Sequence, residues 1–182
     1  MNDEFEDSLA SPPPSQQEVD NLVIAAGDGK QAEVTAFLDK YKDSIDRKNR
    51  HGNTALIYAA WLGQGTTVEL LLAKGAFIDA KSGAGLTALM AAAWKGRVDT
   101  VRLLLEKGAA IDAADGKGKT ARMLAAEEKY LETAALIGQY ADIRRRKAQE
   151  FSEIESKKLI DAHLEKLKSR RPPQSPFNKN QP

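Results

Sequence analysis

Apolar positions in the middle of the chain form two kinds of run that alternate. Residues 55–60, Ala-Leu-Ile-Tyr-Ala-Ala, follow Thr54 and precede Gly63, whereas the leucine-rich run at 68–72 precedes Gly75. A threonine hydroxyl ahead of a helix accepts a hydrogen bond from an amide of the first turn, and glycine permits the left-handed backbone that ends a helix. The pattern therefore predicts two short helices, each followed by a turn.

This helix pair repeats with a period of 33 residues. Gly-Asn-Thr-Ala-Leu at 52–56 returns as Gly-Leu-Thr-Ala-Leu at 85–89, and Gly-Lys-Thr-Ala follows at 118–121. Leu-Leu-Leu-Ala-Lys-Gly-Ala at 70–76 returns as Leu-Leu-Leu-Glu-Lys-Gly-Ala at 103–109. A fixed period of this length indicates stacked units, none of which can bury its apolar face alone. The loops between the pairs are rich in Gly, Asp, Asn and Lys, which is typical of turns.

These residues resemble the ankyrin repeat, whose signature is Gly-x-Thr-Pro-Leu-His-x-Ala-Ala. The resemblance covers roughly residues 19–143 and implies an all-α ankyrin-repeat solenoid of about four helix-turn-helix repeats with a long C-terminal helix. Two departures are systematic. The signature proline is replaced by Ala55, Ala88 and Ala121. The signature histidine, which in ankyrins ties neighbouring repeats by hydrogen bonds, is replaced by Ile57, Met90 and Met123. We therefore expect apolar packing at this position.

The end repeats and the flanking segments set the predicted domain organisation. The first repeat lacks the threonine signature, and the last keeps Thr120 but has Lys129 where the glycine between its two helices is expected. Atypical terminal repeats are expected because a cap needs one polar face. Residues 1–20 hold six acidic and no basic residues. The predicted parts are a disordered acidic arm at 1–15, the ankyrin-repeat domain at 16–143, a charged C-terminal helix at 144–171 and a disordered tail at 172–182.

The predicted C-terminal helix carries the main charge asymmetry of the chain. Residues 144–182 contain eleven Lys and Arg against five Asp and Glu, a net charge of +6. At 100° per residue the apolar residues fall on two roughly opposite faces. One face holds Ile143, Ala148, Phe151, Ile154 and Leu159, and the other holds Ile160, Leu164 and Leu167. Three interpretations remain open: a bend near Ser156, a helix that packs on the last repeat with one face and binds a partner with the other, or a solvated charged extension.

The overall composition narrows the classes of function. The formal net charge is +1, so attraction to nucleic acid or an anionic membrane would have to be local. No cysteine is present, which excludes disulfides and thiolate metal sites, and His51 and His163 leave little for a zinc site. Residues 1–10 are acidic where a signal peptide is basic, and no apolar run is long enough to cross a bilayer. We expect a soluble, cytoplasmic, non-catalytic protein without metal or cofactor.

The resemblance also indicates where a partner would bind. In the ankyrin family, partners usually contact the concave surface formed by the hairpin tips and the first helices. The corresponding tip residues are Arg50, His51, Asn53, Lys81, Gly83, Ala84, Leu86, Lys117 and Lys119, and the first-helix residues are Trp61, Leu62, Trp94 and Lys95. Trp61 and Trp94 are the two tryptophans of the chain and occupy equivalent positions in adjacent repeats. We expect them to lie close together, either as a binding surface or as scaffold between repeats.

The sequence is compatible with functions of different classes. The favoured one is a protein–protein interaction module, an adaptor, scaffold or inhibitor, that uses the concave surface and the C-terminal helix. The alternative is a binder of nucleic acid or a membrane surface through that helix, which contains the basic run at 144–147. An enzyme would need a base, nucleophile or metal constellation, and the sequence offers none. His51 is interpreted as an ordinary hairpin residue.

Overall fold

The computed structural model describes residues 12–169, and this part of the chain is helical. The α-helices are α1 (Gln16–Gly27), α2 (Gln31–Lys40), α3 (Ala55–Leu62), α4 (Gly65–Ala73), α5 (Ala88–Trp94), α6 (Val98–Glu106), α7 (Ala121–Glu127) and α8 (Leu131–Ser169). A short 3₁₀ helix covers Lys42–Ser44. The chain divides into two units, Met1–Ala141 and Asp142–Pro182. The helix pairs of the first unit agree with the predicted helix-turn-helix repeats.

The threonine ahead of each first helix caps it as the sequence predicts. The hydroxyl oxygens of Thr54 and Thr87 accept hydrogen bonds from the backbone N–H groups of Ile57 and Met90, both at 3.3 Å. Thr120 accepts the equivalent bond in the fourth repeat at 3.5 Å. Each hydroxyl thereby satisfies an amide that has no partner inside its own helix.

The first repeat is capped differently. The Ser15 hydroxyl accepts a bond from the Glu18 N–H, while the Glu18 carboxylate accepts one from the Ser15 N–H at 2.9 Å, a capping box. The Tyr41 hydroxyl donates to the same carboxylate at 2.7 Å. These bonds, with that from Tyr41 the strongest, lower the pKa of Glu18 to about 2. Pro14 is buried, and residues 1–11 of the predicted acidic arm lie outside the described part.

The backbone between the two helices of each repeat is left-handed. The φ angle is +74° at Gly29, +83° at Gly63 and +62° at Gly96. Lys129 has a φ of +64° at the equivalent place in the fourth repeat. A residue with a Cβ atom pays about 1–2 kcal/mol for this conformation, so the fold imposes the same turn even where glycine is missing.

The helices of the unit Met1–Ala141 form two rows. The first helices α1, α3, α5 and α7 pack one against the next as an inner row, and α4 packs against α6 in an outer row. Alanines let the inner helices approach closely, while leucines of the outer row fill the space behind them. Fully buried examples are Ala59, Ala92, Leu71 and Leu104. At the position of the ankyrin histidine, Ile57 and Met90 are 2% and 1% exposed, as expected for apolar packing. The expectation is wrong for Met123, which is 53% exposed because no further repeat covers it.

The hairpin tips of adjacent repeats are joined by hydrogen bonds. The N–H of Gly83 donates to the Gly52 carbonyl at 2.9 Å, and the N–H of Gly116 donates to the Ala84 carbonyl at 3.4 Å. Deeper in the loops, the Asp79 carboxylate accepts the Ala110 N–H at 2.9 Å. These bonds hold the tips in register with the inner helices.

The unit Asp142–Pro182 is described as far as residue 169 and is helical over that part. The side chains of residues 142–168 are all exposed, and seven large apolar ones are 47–72% exposed. These seven are Ile143, Phe151, Ile154, Leu159, Ile160, Leu164 and Leu167. The predicted charged helix belongs to α8, which begins at Leu131, so the basic run at 144–147 does not lie at a helix N-terminus. The predicted tail at 172–182 lies outside the described residues.

Candidate protein-binding surface

The two tryptophans meet on the inner surface, which we define as the hairpin tips together with the carboxyl-terminal ends of α3, α5 and α7. The ring centroids of Trp61 and Trp94 are 4.9 Å apart at 82°, an edge-to-face contact. The Lys95 ammonium lies 4.4 Å from the Trp61 centroid, within range of a cation–π interaction. The Trp94 indole N–H donates to the Glu128 carboxylate at 3.0 Å. Both rings pack on the core and remain partly exposed, so they are scaffold on one side and surface on the other.

A groove of about 290 Å³ lies beside Trp94, between the third hairpin tip and the end of α7. Its apolar lining comprises Ala84, Leu86, Trp94 and Leu124. Its charged lining comprises Asp115, Lys117, Lys119, Glu127 and Glu128. An apolar lining with charged groups around it is the general make-up of a recognition site on a protein surface.

Most charged groups of the groove are held by neighbours. The Lys119 ammonium forms an ion pair with Glu127, and this contact raises the pKa of Lys119. The Asp115 carboxylate accepts the backbone N–H groups of Lys119 and Lys117 at 2.9 and 2.8 Å, and the bond from Lys119 contributes most to lowering the pKa of Asp115. The hairpin tip therefore has a defined shape and both signs of charge.

The residues predicted at the first hairpin are engaged in the fold. The Arg50 guanidinium forms an ion pair with Asp20 of α1 at 2.8 Å, and the Arg50 N–H donates to the same carboxylate at 3.0 Å. The N–H groups of His51 and Asn53 both donate to the Asn49 side chain at 3.0 Å. The His51 residue is exposed. These contacts order the first hairpin against α1.

Some of the remaining predicted residues connect neighbouring elements, and the others lie together at the tryptophan pair and the groove. Lys81 donates from its ammonium to the Ala114 carbonyl at 3.0 Å and so links adjacent loops. Leu62 is partly buried where α3 passes Gly27 of α1. Seven predicted residues come together at the tryptophan pair and the groove: Trp61, Ala84, Leu86, Trp94, Lys95, Lys117 and Lys119.

Four groove residues are not among those predicted from the sequence, namely Asp115, Leu124, Glu127 and Glu128. The 33-residue register contained the signal for two of them, because Glu127 and Glu128 follow Trp94 and Lys95 by one period. The change from an aromatic–basic pair to an acidic pair makes the chemistry of the inner surface differ between adjacent repeats.

Metal-binding clusters and membrane-spanning helices are both absent from residues 12–169. No group of three or more His, Asp and Glu side chains there is arranged to hold a metal ion. None of the helices in this part combines the length and the hydropathy needed to cross a bilayer.

The stacked helix pairs, the tied hairpins and the inner groove define a helical repeat solenoid. A sequence model of the family described as ankyrin repeats (3 copies) matches residues 13–82 and 78–147, so the chain belongs to the ankyrin-repeat family. Comparison with curated protein sequences finds no match. Ankyrin repeats are generally protein–protein interaction modules.

Proposed function

We propose that this protein is a non-catalytic, cytoplasmic adaptor, scaffold or inhibitor that binds a partner protein through the inner surface. The observation that carries the proposal is the groove beside Trp94, where five predicted binding residues meet: Ala84, Leu86, Trp94, Lys117 and Lys119. The partly exposed Trp61–Trp94 pair extends the apolar surface beyond the groove.

Tryptophan buries a large area for little lost side-chain entropy, which is why it is enriched among interface residues that dominate affinity. Trp94 is held by the ring of Trp61 on one side and by Glu128 on the other. A partner therefore meets a ring whose orientation is already set, and binding costs less ordering entropy.

Identification of the partner uses site-directed photo-crosslinking. The chain has no native cysteine, so a thiol-reactive photo-crosslinker can be attached at one position, Lys117→Cys in the groove. Arg102→Cys, on the exposed side of α6, is the matched control. We expect a partner captured from the groove position and not from the control position.

The affinity of the captured partner then tests the surface. Ala84→Arg places a long side chain in the groove without removing the Ala84 carbonyl that accepts the Gly116 N–H. We expect at least about thirtyfold weaker binding, the loss associated with an interface hot spot. Ala73→Arg, at an exposed site at the end of α4, should bind like wild type. Equal affinities of the two folded variants would contradict the proposal.

A second function is kept because residues 142–168 are exposed and include the basic run at 144–147. This helix would bind nucleic acid or an anionic membrane. This second function has weaker support than the first, since residues 142–169 hold eight Lys and Arg and six Asp and Glu, a net charge of only +2. Binding to duplex oligonucleotides or anionic vesicles should then fall steeply with salt. Retention of that binding when residues 144–147 are all replaced by Gln would argue against it.

A further inference from the structure

In the third and fourth repeats, the residue that follows the tryptophan position contacts the tryptophan of the preceding repeat. Lys95 follows Trp94 and reaches back one repeat to the ring of Trp61. Glu128 stands one period after Lys95 and reaches back in the same way to Trp94, where it accepts the indole N–H. The two tryptophans therefore meet groups of opposite charge. Trp61 has a cation over its ring, and Trp94 has a carboxylate at its edge.

The charges around the groove leave Glu128 in a distinct position. Glu127 is paired with Lys119, and Asp115 accepts two backbone N–H groups. Among residues 12–169 Glu128 forms no ion pair: its carboxylate accepts the neutral indole N–H of Trp94, and its charge contributes to the raised pKa of Lys119, which is itself paired with Glu127. A carboxylate beside an aromatic ring and an apolar lining is matched by a cationic side chain with an apolar stem.

We propose that the groove binds a short linear segment of the partner protein, with an Arg or Lys side chain over the Trp94 ring and beside the Glu128 carboxylate, and a neighbouring large apolar side chain on Leu86 and Leu124. This inference rests on the proposed function and specifies the partner chemistry. The groove volume of about 290 Å³ is at the lower end of the range for ligand pockets, which suits one or two side chains of a peptide rather than an entire small molecule.

The position of the lysines orients the segment. Lys117 and Lys119 line the groove from the hairpin tip, and Lys95 lies 5.9 Å from the Trp94 centroid while it contacts Trp61 at 4.4 Å. Lys95 disfavours a bound cation near Trp61. At the tip Lys119 is paired with Glu127, so the repulsion there comes from Lys117. The cation is therefore directed to the α7 side of the groove, where Glu128 lies.

The test is a selection of short random peptides displayed on phage against the intact protein. We expect the recovered peptides to carry Arg or Lys next to Leu, Ile, Met or an aromatic residue. Their affinity should fall about two- to fivefold for Glu128→Gln, which keeps an oxygen acceptor for the indole N–H and removes only the charge. Trp94→Leu should weaken binding more strongly. Glu132→Gln, an exposed site in the first turn of α8, is the matched control.

The outcomes separate this inference from the proposed function. Peptides blocked by Ala84→Arg but acidic in composition, or weakened by Lys117→Gln and unaffected by Glu128→Gln, would keep the groove as a binding site and overturn the cationic partner. Peptides unaffected by Ala84→Arg would bind elsewhere and overturn the use of the groove. A selection that recovers no binding peptide would overturn the linear segment, while the photo-crosslinking at Lys117→Cys still decides the proposed function.

Discussion

The third and fourth repeats carry related sequences in different surroundings. Met90 and Met123 stand at the same position of the ankyrin signature, yet Met90 is 1% exposed and Met123 is 53% exposed. Gly96 and Lys129 share a left-handed backbone, with φ angles of +62° and +64°. The position of a repeat in the stack decides what a residue does, because an internal repeat is covered on both sides and an end repeat on one.

The third and fourth repeats also differ at the inner surface. Trp94 and Lys95 of the third repeat contact Trp61 of the second, whereas Glu127 and Glu128 of the fourth contact Lys119 and Trp94. The fourth repeat therefore ends the aromatic surface with carboxylates. A repeat that closes an array needs polar groups at its exposed positions, and here the same groups shape the groove.

The largest expected effect concerns the methionine pair. Met90→Ala should lower the free energy of unfolding by about 2–5 kcal/mol, since it leaves a cavity in a fully buried site. Met123→Ala should change it by less than about 0.5 kcal/mol, as for most exposed positions. Urea denaturation followed by circular dichroism measures both. Equal losses in the free energy of unfolding would show that Met123 is covered in solution and that the two repeats do not differ at this position.

The next effect concerns the left-handed turns. Gly96→Ala should destabilise the protein by about 1–2 kcal/mol or more, because the φ angle is positive and the added Cβ would collide with the Tyr130 ring. Lys129→Gly should stabilise it by about 0.5–1 kcal/mol, the relief of strain less the entropy of glycine. Lys107→Gly is the control, since Lys107 ends α6 with a φ of −77°. A stabilising Lys107→Gly would mean that the gain does not come from the turn.

The smallest expected effect concerns the first repeat, which lies at the other end of the stack from the fourth repeat. The lowered pKa of Glu18, caused chiefly by the Tyr41 hydroxyl, means that its carboxylate stabilises the fold above a pH of about 4.5, and that this contribution is lost as the pH falls towards 2. Glu18→Gln should lower the thermal midpoint at neutral pH and flatten its decline between pH 5 and 2. Glu132→Gln at the fourth repeat is the control. A wild-type slope in Glu18→Gln would exclude this origin.

The repeats could be predicted from sequence because their signals are local and recur in register. The threonine caps and the 33-residue period placed the helix pairs, and the buried Ile57 and Met90 agree with the expected apolar packing. The long helix was only partly anticipated: the sequence indicated a start near residue 144, whereas α8 begins at Leu131. Nothing local marks a boundary there, since a helix continues wherever no residue stops it.

The sequence by itself determined the repeat architecture and the nearness of Trp61 and Trp94, because equivalent positions of stacked repeats must be neighbours. Only the tertiary structure decided which charges meet. Lys119 with Glu127, Trp94 with Glu128 and Arg50 with Asp20 are pairs set by side-chain reach across loops and helices. Long charged side chains have many rotamers of similar energy, so their partners follow from the packed surroundings rather than from the local pattern.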